Sequence, residues 1–215
     1  MTLSRLGPFQ QRVLEAFFER APEGFYLTGG AALGGFHLGH RTTEDLDLFT
    51  PTDELDEGVA ALQEVARSLG ATLEGLRTSP YQRRFLLRRE HEGVVVDLVY
   101  EPVPQGVAAK PKVGAIRVDP ASEILANKLG ALLQRAELRD LVDVRALEQA
   151  GHRVERALPL AMRKDAGLTA AQLAWVLSQV EIGDEASLPG GVPASELREY
   201  LEDLRSRLLR LALPE

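Results

Sequence analysis

The segment Leu27–Phe49 reads LTGGAALGGFHLGHRTTEDLDLF, and it decides the fold that we predict for this chain. A short apolar run precedes Gly29 and Gly30, whose lack of side chains lets backbone N–H groups approach a phosphate closely. At the far end, Asp45 and Asp47 lie two residues apart in a segment typical of a strand. Side chains alternate along a strand, so both carboxylates point to one face and can hold Mg²⁺ with substrate phosphates. The alternative is a pair of turn glycines followed by a solvated acidic edge.

The composition limits the class of protein. The chain has 215 residues, of which 45% are hydrophobic, enough for one large or two small domains. It has no cysteine, which excludes disulfides, thiol chemistry and zinc–thiolate sites. The net charge of −7 argues against a general nucleic-acid binder, although a local basic patch can still contact a nucleic-acid substrate. We see neither a signal-peptide pattern nor an apolar run of membrane-spanning length, so we expect a cytoplasmic protein that contacts no membrane.

The order of the predicted elements indicates an α+β fold. The predicted elements are helices at 8–20, 31–38 and 53–69, strands at 24–28, 44–49, 81–89, 94–100 and 116–118, and helices at 119–135, 138–150, 169–180 and 195–211. The strands at 81–89 and 94–100 form a predicted antiparallel hairpin with its turn at residues 91–93. Strands come first and helices follow, so we predict an α/β domain at 1–118 and a helical domain at 119–215.

Asp97 is the one acidic residue in the apolar run GVVVDLVY, residues 93–100. A carboxylate is costly to bury in such a strand unless it is paired with a cation or binds a metal. It could also act as a general base toward an acceptor hydroxyl. The alternative is an edge strand on which Asp97 faces water.

Lys128 and Arg135 are seven residues apart on a predicted helix and therefore share one face. Either can bind a phosphate, the lysine as a point charge and the arginine through two hydrogen bonds. The residues alone equally allow a solvated helix face, and an exposed lysine contributes less than about half a kcal/mol to stability. Asp140 and Asp143 share a face of the next helix. They could orient the two cations, line a nucleotide cleft, or simply be acids that favour a helix N-terminus.

A run of arginines flanks Phe85-Leu86-Leu87. Strand alternation places Arg84 and Arg88 on one face and Arg83 and Arg89 on the other, so a continuous basic stripe is not assured. The candidate RNA-contacting residues are Arg83, Arg84, Arg88, Arg89, Lys110, Lys112 and Arg117. The alternative is an ordinary soluble surface.

Residues 27–49 resemble the opening signature of the polymerase-β-type nucleotidyltransferases. More narrowly, they resemble the AbiEii/AbiGii toxin family, to which the MenT nucleotidyltransferase toxins belong. The matching residues are Gly29, Gly30, Ala32, Leu33, His40, Arg41, Thr43, Asp45, Asp47 and Phe49. A second match comprises Glu123, Lys128, Arg135, Arg139, Asp140 and Asp143. The resemblance covers about residues 20–150, and the last third of the chain matches only in being helical.

The resemblance implies a polymerase-β-type nucleotidyltransferase domain, with a mixed sheet and flanking helices, followed by a helical domain that completes the nucleotide cleft. It implies transfer of a nucleoside monophosphate from an NTP, with Mg²⁺ or Mn²⁺, to an acceptor hydroxyl. The implied metal ligands are Asp45, Asp47 and Asp97, which with Lys128 form the implied catalytic set. The implied nucleotide-binding residues are Gly29, Gly30, Lys128, Arg135, Asp140 and Asp143.

The same resemblance implies a toxin of a toxin–antitoxin or phage-defence pair, acting on the tRNA 3′ end and controlled by a cognate antitoxin. Two alternatives stay open: a small-molecule nucleotidyltransferase of the antibiotic-modifying kind, and a non-catalytic nucleotide-binding module. A basic acceptor cleft favours RNA, and an acidic or apolar pocket favours a small cationic drug. The module is disfavoured because a pure binder does not need all three aspartates.

Overall fold

The computed structural model describes residues 5–213. The chain forms two compact units. Unit 1 extends to Val103 and also includes Val107–Pro120, and unit 2 comprises Pro104–Gly106 and the chain from Ala121 onward. Within residues 5–213, no helix combines the length and the apolar composition needed to span a membrane.

Unit 1 has a five-stranded sheet as its centre. Its helices are α1 (Pro8–Phe18), the short α2 (Gly29–Ala32), which continues into a π-helical turn at Leu33–His37, and α3 (Leu55–Leu69). Its strands are β1 (Tyr26–Thr28), β2 (Asp45–Thr50), β3 (Thr72–Ser79), β4 (Gln82–Arg89), β5 (Glu92–Tyr100), β6 (Lys112–Val113) and β7 (Ile116–Arg117). The sheet order is β1-β2-β5-β4-β3, with β2 and β5 parallel and the other neighbours antiparallel. The predicted mixed sheet with flanking helices is therefore confirmed.

The core of unit 1 is formed by apolar residues that recur every 3.6 positions in a helix and every second position in the strands. The helix α1 buries one stripe that includes Val13, Leu14 and Phe17, as the 3.6-residue period predicts. Alternate residues of β2 and β5 are apolar and buried at Leu46, Leu48, Val94, Val96 and Leu98, and α1 and α3 both contact the sheet. The residues between them, which include the aspartates, therefore lie on the other face. The helix α3 ends at Gly70 in the left-handed conformation, φ 63°, directly after the predicted helix at 53–69.

The sequence prediction of this sheet was wrong at two places. Arg89 pairs with Glu92, so the hairpin turn consists of Glu90 and His91 rather than residues 91–93. Glu90 adopts the left-handed conformation, φ 52°, which is uncommon for a residue other than glycine. The strand β3 was not predicted, because Thr72–Ser79 is largely exposed and has no alternating buried residues.

Unit 2 is helical in its described part. Its helices are α4 (Ala121–Arg135), α5 (Leu138–Gln149), α6 (Val154–Lys164), α7 (Ala170–Leu177) and α8 (Ala194–Ala212), with a 3₁₀ turn at Pro189–Gly191. The Thr169 hydroxyl accepts a hydrogen bond from the backbone N–H of Gln172, which confirms the predicted cap of α7. The helix α6 was not predicted as a separate element, and it contains Pro159 in its interior.

Candidate active site

The glycine pair begins directly where β1 ends. Gly29 has φ 64°, a conformation that favours glycine, and a Cβ atom there would overlap the Asp47 carboxylate. A Cβ atom on Gly30 would lie 2.8 Å from Nη2 of Arg41. Gly29 therefore needs to be glycine, and the turn lies against one of the predicted metal ligands with an arginine side chain beside it.

The strand register places the predicted metal ligands on one face of the sheet. Asp47 pairs with Asp97 across the parallel strands β2 and β5, and Asp45 pairs with Val95 two residues earlier. Partners in register point to the same side, and residues two apart on one strand do as well. Asp45, Asp47 and Asp97 therefore share the face opposite to the buried leucines of β2.

Two side chains from β4 contact these aspartates. Arg84 spans two of them, with Nη1 3.0 Å from Oδ2 of Asp97 and Nη2 3.2 Å from Oδ2 of Asp45. Gln82 donates from Nε2 to the other Asp97 oxygen, Oδ1, at 2.8 Å. Burial raises the pKa of Asp97 above its usual 3.8, against the lowering effects of Arg84 and Gln82.

These two contacts were not predicted from the sequence. Arg84 pairs directly with Asp97 across the antiparallel strands β4 and β5. A hairpin turn placed at Glu90 and His91 would have predicted that pairing, whereas a turn at residues 91–93 does not. The contact was therefore missed because the hairpin turn was placed at the wrong residues.

The chemistry of the donor set fits a hard divalent cation. As the side chains stand, no three acidic or histidine side chains within residues 5–213 form a ready metal cluster. Carboxylate oxygens are nevertheless the ligands that Mg²⁺ prefers, and a buried carboxylate such as Asp97 requires a nearby positive charge. At present the Arg84 guanidinium supplies that charge.

The predicted nucleotide-binding residues of unit 2 form an ion cluster between α4 and α5. The Lys128 ammonium lies 2.7 Å from Oδ1 of Asp140 and 2.7 Å from Oδ2 of Asp143. Arg135 donates to both oxygens of Asp140, from Nε at 2.8 Å and from Nη2 at 3.0 Å. Three roles were predicted for Asp140 and Asp143, and this geometry fits the one in which they orient the two cations.

The solvated helix face that the residues allowed as an alternative for Lys128 is wrong, since its side chain is only 8% exposed and those of Asp140 and Asp143 are fully buried. Burial acts to lower the pKa of Lys128, but Asp143 and Asp140 outweigh it and hold the pKa above 10.5. Burial likewise acts to raise the pKa of Asp140, but Arg135 and Lys128 hold it below 3.8. The cluster is therefore charged at neutral pH.

Two of the candidate RNA-contacting residues are buried instead. Arg117 donates to the backbone carbonyls of Phe25 and Pro22, both at 2.7 Å. The Lys110 side chain is 5% exposed and its ammonium lies 2.8 Å from the Asp119 carboxylate. Both side chains stabilise unit 1 internally, so including them in an RNA-contacting patch was wrong.

Other arginines lie on the aspartate-bearing face of the sheet. Arg84 and Arg88 share that face, as alternation predicted, because they pair with Asp97 and Gly93. A bulge in β3 then places the exposed Arg77 opposite Arg84. We call Arg77, Arg84 and Arg88 the arginine row. Arg77 was missed because β3 was not predicted.

Comparison with known families assigns the chain. The model of the family described as nucleotidyl transferase AbiEii toxin, type IV toxin–antitoxin system, matches residues 12–210. The chain belongs to the AbiEii nucleotidyltransferase toxin family. It is therefore a nucleotidyltransferase with a toxin–antitoxin role, and the alternative of a non-catalytic module is wrong. The match extends through the helical last third, which the sequence resemblance did not reach.

Comparison with solved structures agrees on the fold. JHP933 from Helicobacter pylori superposes with a TM-score of 0.53 at 19% identity, over 94% of this chain and 91% of that one. The antibiotic-resistance factor ANT(2'')-Ia has a TM-score of 0.47 at 18% identity, over 70% of this chain and 86% of that one. No protein of curated function matches the sequence. With a TM-score above 0.5, JHP933 shares the fold of this AbiEii-family protein.

Proposed function

We propose that this AbiEii-family enzyme transfers a nucleoside monophosphate from an NTP, with a divalent cation, to the 3′ hydroxyl of a tRNA. The observation that carries the proposal is the set of three aspartates on one sheet face, directly beside the Gly29–Gly30 turn. Blocking tRNA 3′ ends would stop translation, which suits a toxin whose effect a cognate antitoxin must oppose.

Each part of the site has a proposed task. Asp45, Asp47 and Asp97 would hold Mg²⁺ or Mn²⁺, which neutralises phosphate charge and activates the attacking hydroxyl when bound. Backbone N–H groups of Gly29 and Gly30 would donate to the triphosphate, because their bare Cα atoms allow close approach. These fixed donors would stabilise the charge that develops during phosphoryl transfer.

Of the four predicted nucleotide-binding residues of unit 2, we propose that only the two cations, Lys128 and Arg135, contact the nucleotide. The Lys128 ammonium is bonded to two carboxylates, so contact with a phosphate would require it to leave at least one of them. Arg135 has a side chain that is 45% exposed, so a phosphate in solvent can approach its guanidinium. We propose that Asp140 and Asp143 orient these cations rather than touch the nucleotide.

The arginine row supports an RNA acceptor over a small cationic drug. Arg77 and Arg88 are exposed on the same sheet face as the aspartates. Positive charge beside the acceptor position attracts a phosphate backbone and repels a cationic drug. The row also explains how a chain with net charge −7 can present a local basic surface to RNA.

Incubation with total tRNA and each α-labelled NTP in turn tests the proposed reaction. We expect acid-precipitable label with at least one NTP, dependent on Mg²⁺ or Mn²⁺, and its loss when the tRNA 3′ ends are oxidised with periodate. Label on an aminoglycoside but not on tRNA would contradict the RNA acceptor and favour the antibiotic-type alternative.

A matched pair of variants tests the face that contacts RNA. Arg88 and Arg89 are neighbours on β4 with side chains on opposite faces, so Arg88→Glu and Arg89→Glu change the charge equally. We expect Arg88→Glu to raise the KM for tRNA by roughly tenfold, because it opposes a phosphate contact, and Arg89→Glu to change it by less than about twofold. Equal effects would mean that the overall charge, and not the arginine row, determines RNA affinity.

A further inference from the structure

Arg84 occupies the position between two of the proposed metal ligands. Its two terminal nitrogens lie 3.0 Å from Asp97 Oδ2 and 3.2 Å from Asp45 Oδ2. With Gln82 on Asp97 Oδ1, both oxygens of the buried Asp97 carboxylate are engaged. A cation bound between Asp45 and Asp97 would therefore compete with the guanidinium for the two Oδ2 atoms.

We propose that Arg84 is an exchangeable counter-ion of the catalytic carboxylates. It neutralises Asp45 and Asp97 when no metal is bound, and it leaves them for a substrate phosphate when the metal and NTP bind. This inference rests on the proposed function, since it takes the aspartates to be metal ligands. It assigns to Arg84 a role that neither the motif around Asp45 nor the family match assigns.

The geometry suits exchange. The Arg84 side chain is 35% exposed, so its long flexible stem can move the guanidinium without opening the core. Arg84 also pairs with the exposed Arg77 on β3, and like charges that face each other across two strands repel. This repulsion favours movement of the Arg84 guanidinium. Gln82 can continue to hold Asp97 Oδ1 and so keep that carboxylate oriented while Oδ2 is released.

The charge of Arg84 determines whether it favours or opposes metal binding. A unit charge and a divalent cation about 5 Å apart repel, even at the dielectric constant of water, by enough to change an equilibrium constant about tenfold. Metal binding must overcome this repulsion or displace the guanidinium. Once displaced, the guanidinium can donate two parallel hydrogen bonds to a phosphate, which is the geometry arginine favours.

Mn²⁺ binding to the protein without nucleotide tests the exchange directly. Free Mn²⁺ is measured by electron paramagnetic resonance for the wild type, Arg84→Gln, Arg84→Lys and the control Arg88→Gln. Arg88 lies on the same strand and face, but no contact joins its side chain to the aspartates. We expect Arg84→Gln to bind Mn²⁺ about tenfold more tightly and Arg88→Gln to stay within about twofold of the wild type.

Arg84→Lys keeps the charge but cannot span both carboxylates, so we expect intermediate Mn²⁺ affinity. It also serves as the second variant if thermal unfolding shows that Arg84→Gln is not folded. Weaker or unchanged Mn²⁺ binding in the folded Arg84 variants would overturn the proposal, because Arg84 would then only position the ligands.

Kinetics provides the second readout. We expect Arg84→Gln to lower kcat/KM for the NTP by about a hundredfold while its Mn²⁺ affinity rises, a combination that a merely structural role would not produce. Unchanged kcat/KM would overturn the phosphate contact. A wild type with no Mn²⁺ site sensitive to Asp47→Asn would overturn both this inference and the metal-dependent function. A wild type with that site and unaltered affinity in Arg84→Gln would overturn the inference alone.

Discussion

The two units each contain a cluster of acids and cations, and the clusters differ in how accessible they are. In the sheet cluster, Asp45 and Asp97 share Arg84, whose side chain is 35% exposed. In the helix cluster, Lys128 is 8% exposed and contacts two carboxylates that are fully buried. A cation open to solvent can be exchanged for another, whereas a buried one is held because releasing it exposes bare charges to an apolar interior. By this measure Arg84 is the more exchangeable cation, and Lys128 is the one that burial holds in place.

The largest expected effect is on catalysis through the sheet cluster. Asp47→Asn should lower kcat/KM by more than about a thousandfold, since an amide has the shape of a carboxylate but lacks the charge that a hard cation needs. The thermal unfolding midpoint should change little, because Asp47 is only half-buried. Transfer of labelled nucleotide and a melting curve check both parts. Near-wild-type turnover in a folded variant would mean that Asp47 binds no metal.

In the helix cluster, a substitution should reduce the stability of the fold much more than Asp47→Asn does. Lys128→Met should lower the free energy of unfolding by about 3–5 kcal/mol, because it leaves Asp140 and Asp143 buried with one less cation. This replaces the expectation, made for an exposed lysine, of almost no loss. Urea unfolding checks it, with Arg135→Gln as the comparison, for which we expect a smaller loss because the Arg135 side chain is 45% exposed and Lys128 still contacts Asp140. Equal losses would remove the distinction between buried and exposed partners.

Activity per folded molecule then sharpens the comparison. If Lys128 only joins α4 to α5, kcat/KM of the folded fraction of Lys128→Met stays close to that of the wild type. If Lys128 also meets the nucleotide, as the family resemblance implies, kcat/KM falls by orders of magnitude at temperatures where the variant is folded.

The smallest expected effect is the pH dependence of the helix cluster. The pKa of Asp140 is held below 3.8, so its stabilisation is fully present above pH 3.8 and is lost as pH falls through the folded-state pKa. The pKa of Lys128 is held above 10.5, so its stabilisation is present below pH 10.5 and is lost as pH rises through the folded-state value. The stabilisation that these two groups give the wild type should therefore be constant between these limits and fall outside them. Urea unfolding over a pH series measures it, and a change near neutral pH would implicate another group.

Local patterns predicted most of unit 1 correctly. The helix that ends at Gly70 and the strand that carries Asp45 and Asp47 were found because each has a clear period and a clear end. The strand β3 was missed because it is exposed on an edge and buries almost nothing. The hairpin turn was misplaced because Glu90 takes the left-handed conformation although a glycine lies nearby.

The sequence by itself determined which side chains share a face. Asp45 and Asp47 are two apart on a strand, and Lys128 and Arg135 are seven apart on a helix, so their relation follows from the geometry of one element. Only the tertiary structure decided which residues of other elements contact those faces. Asp97 lies beside Asp47 because two strands fifty residues apart pair in one register, and Lys128 is buried because α5 packs against α4. Such pairings depend on the packing of the whole core, which no local period encodes.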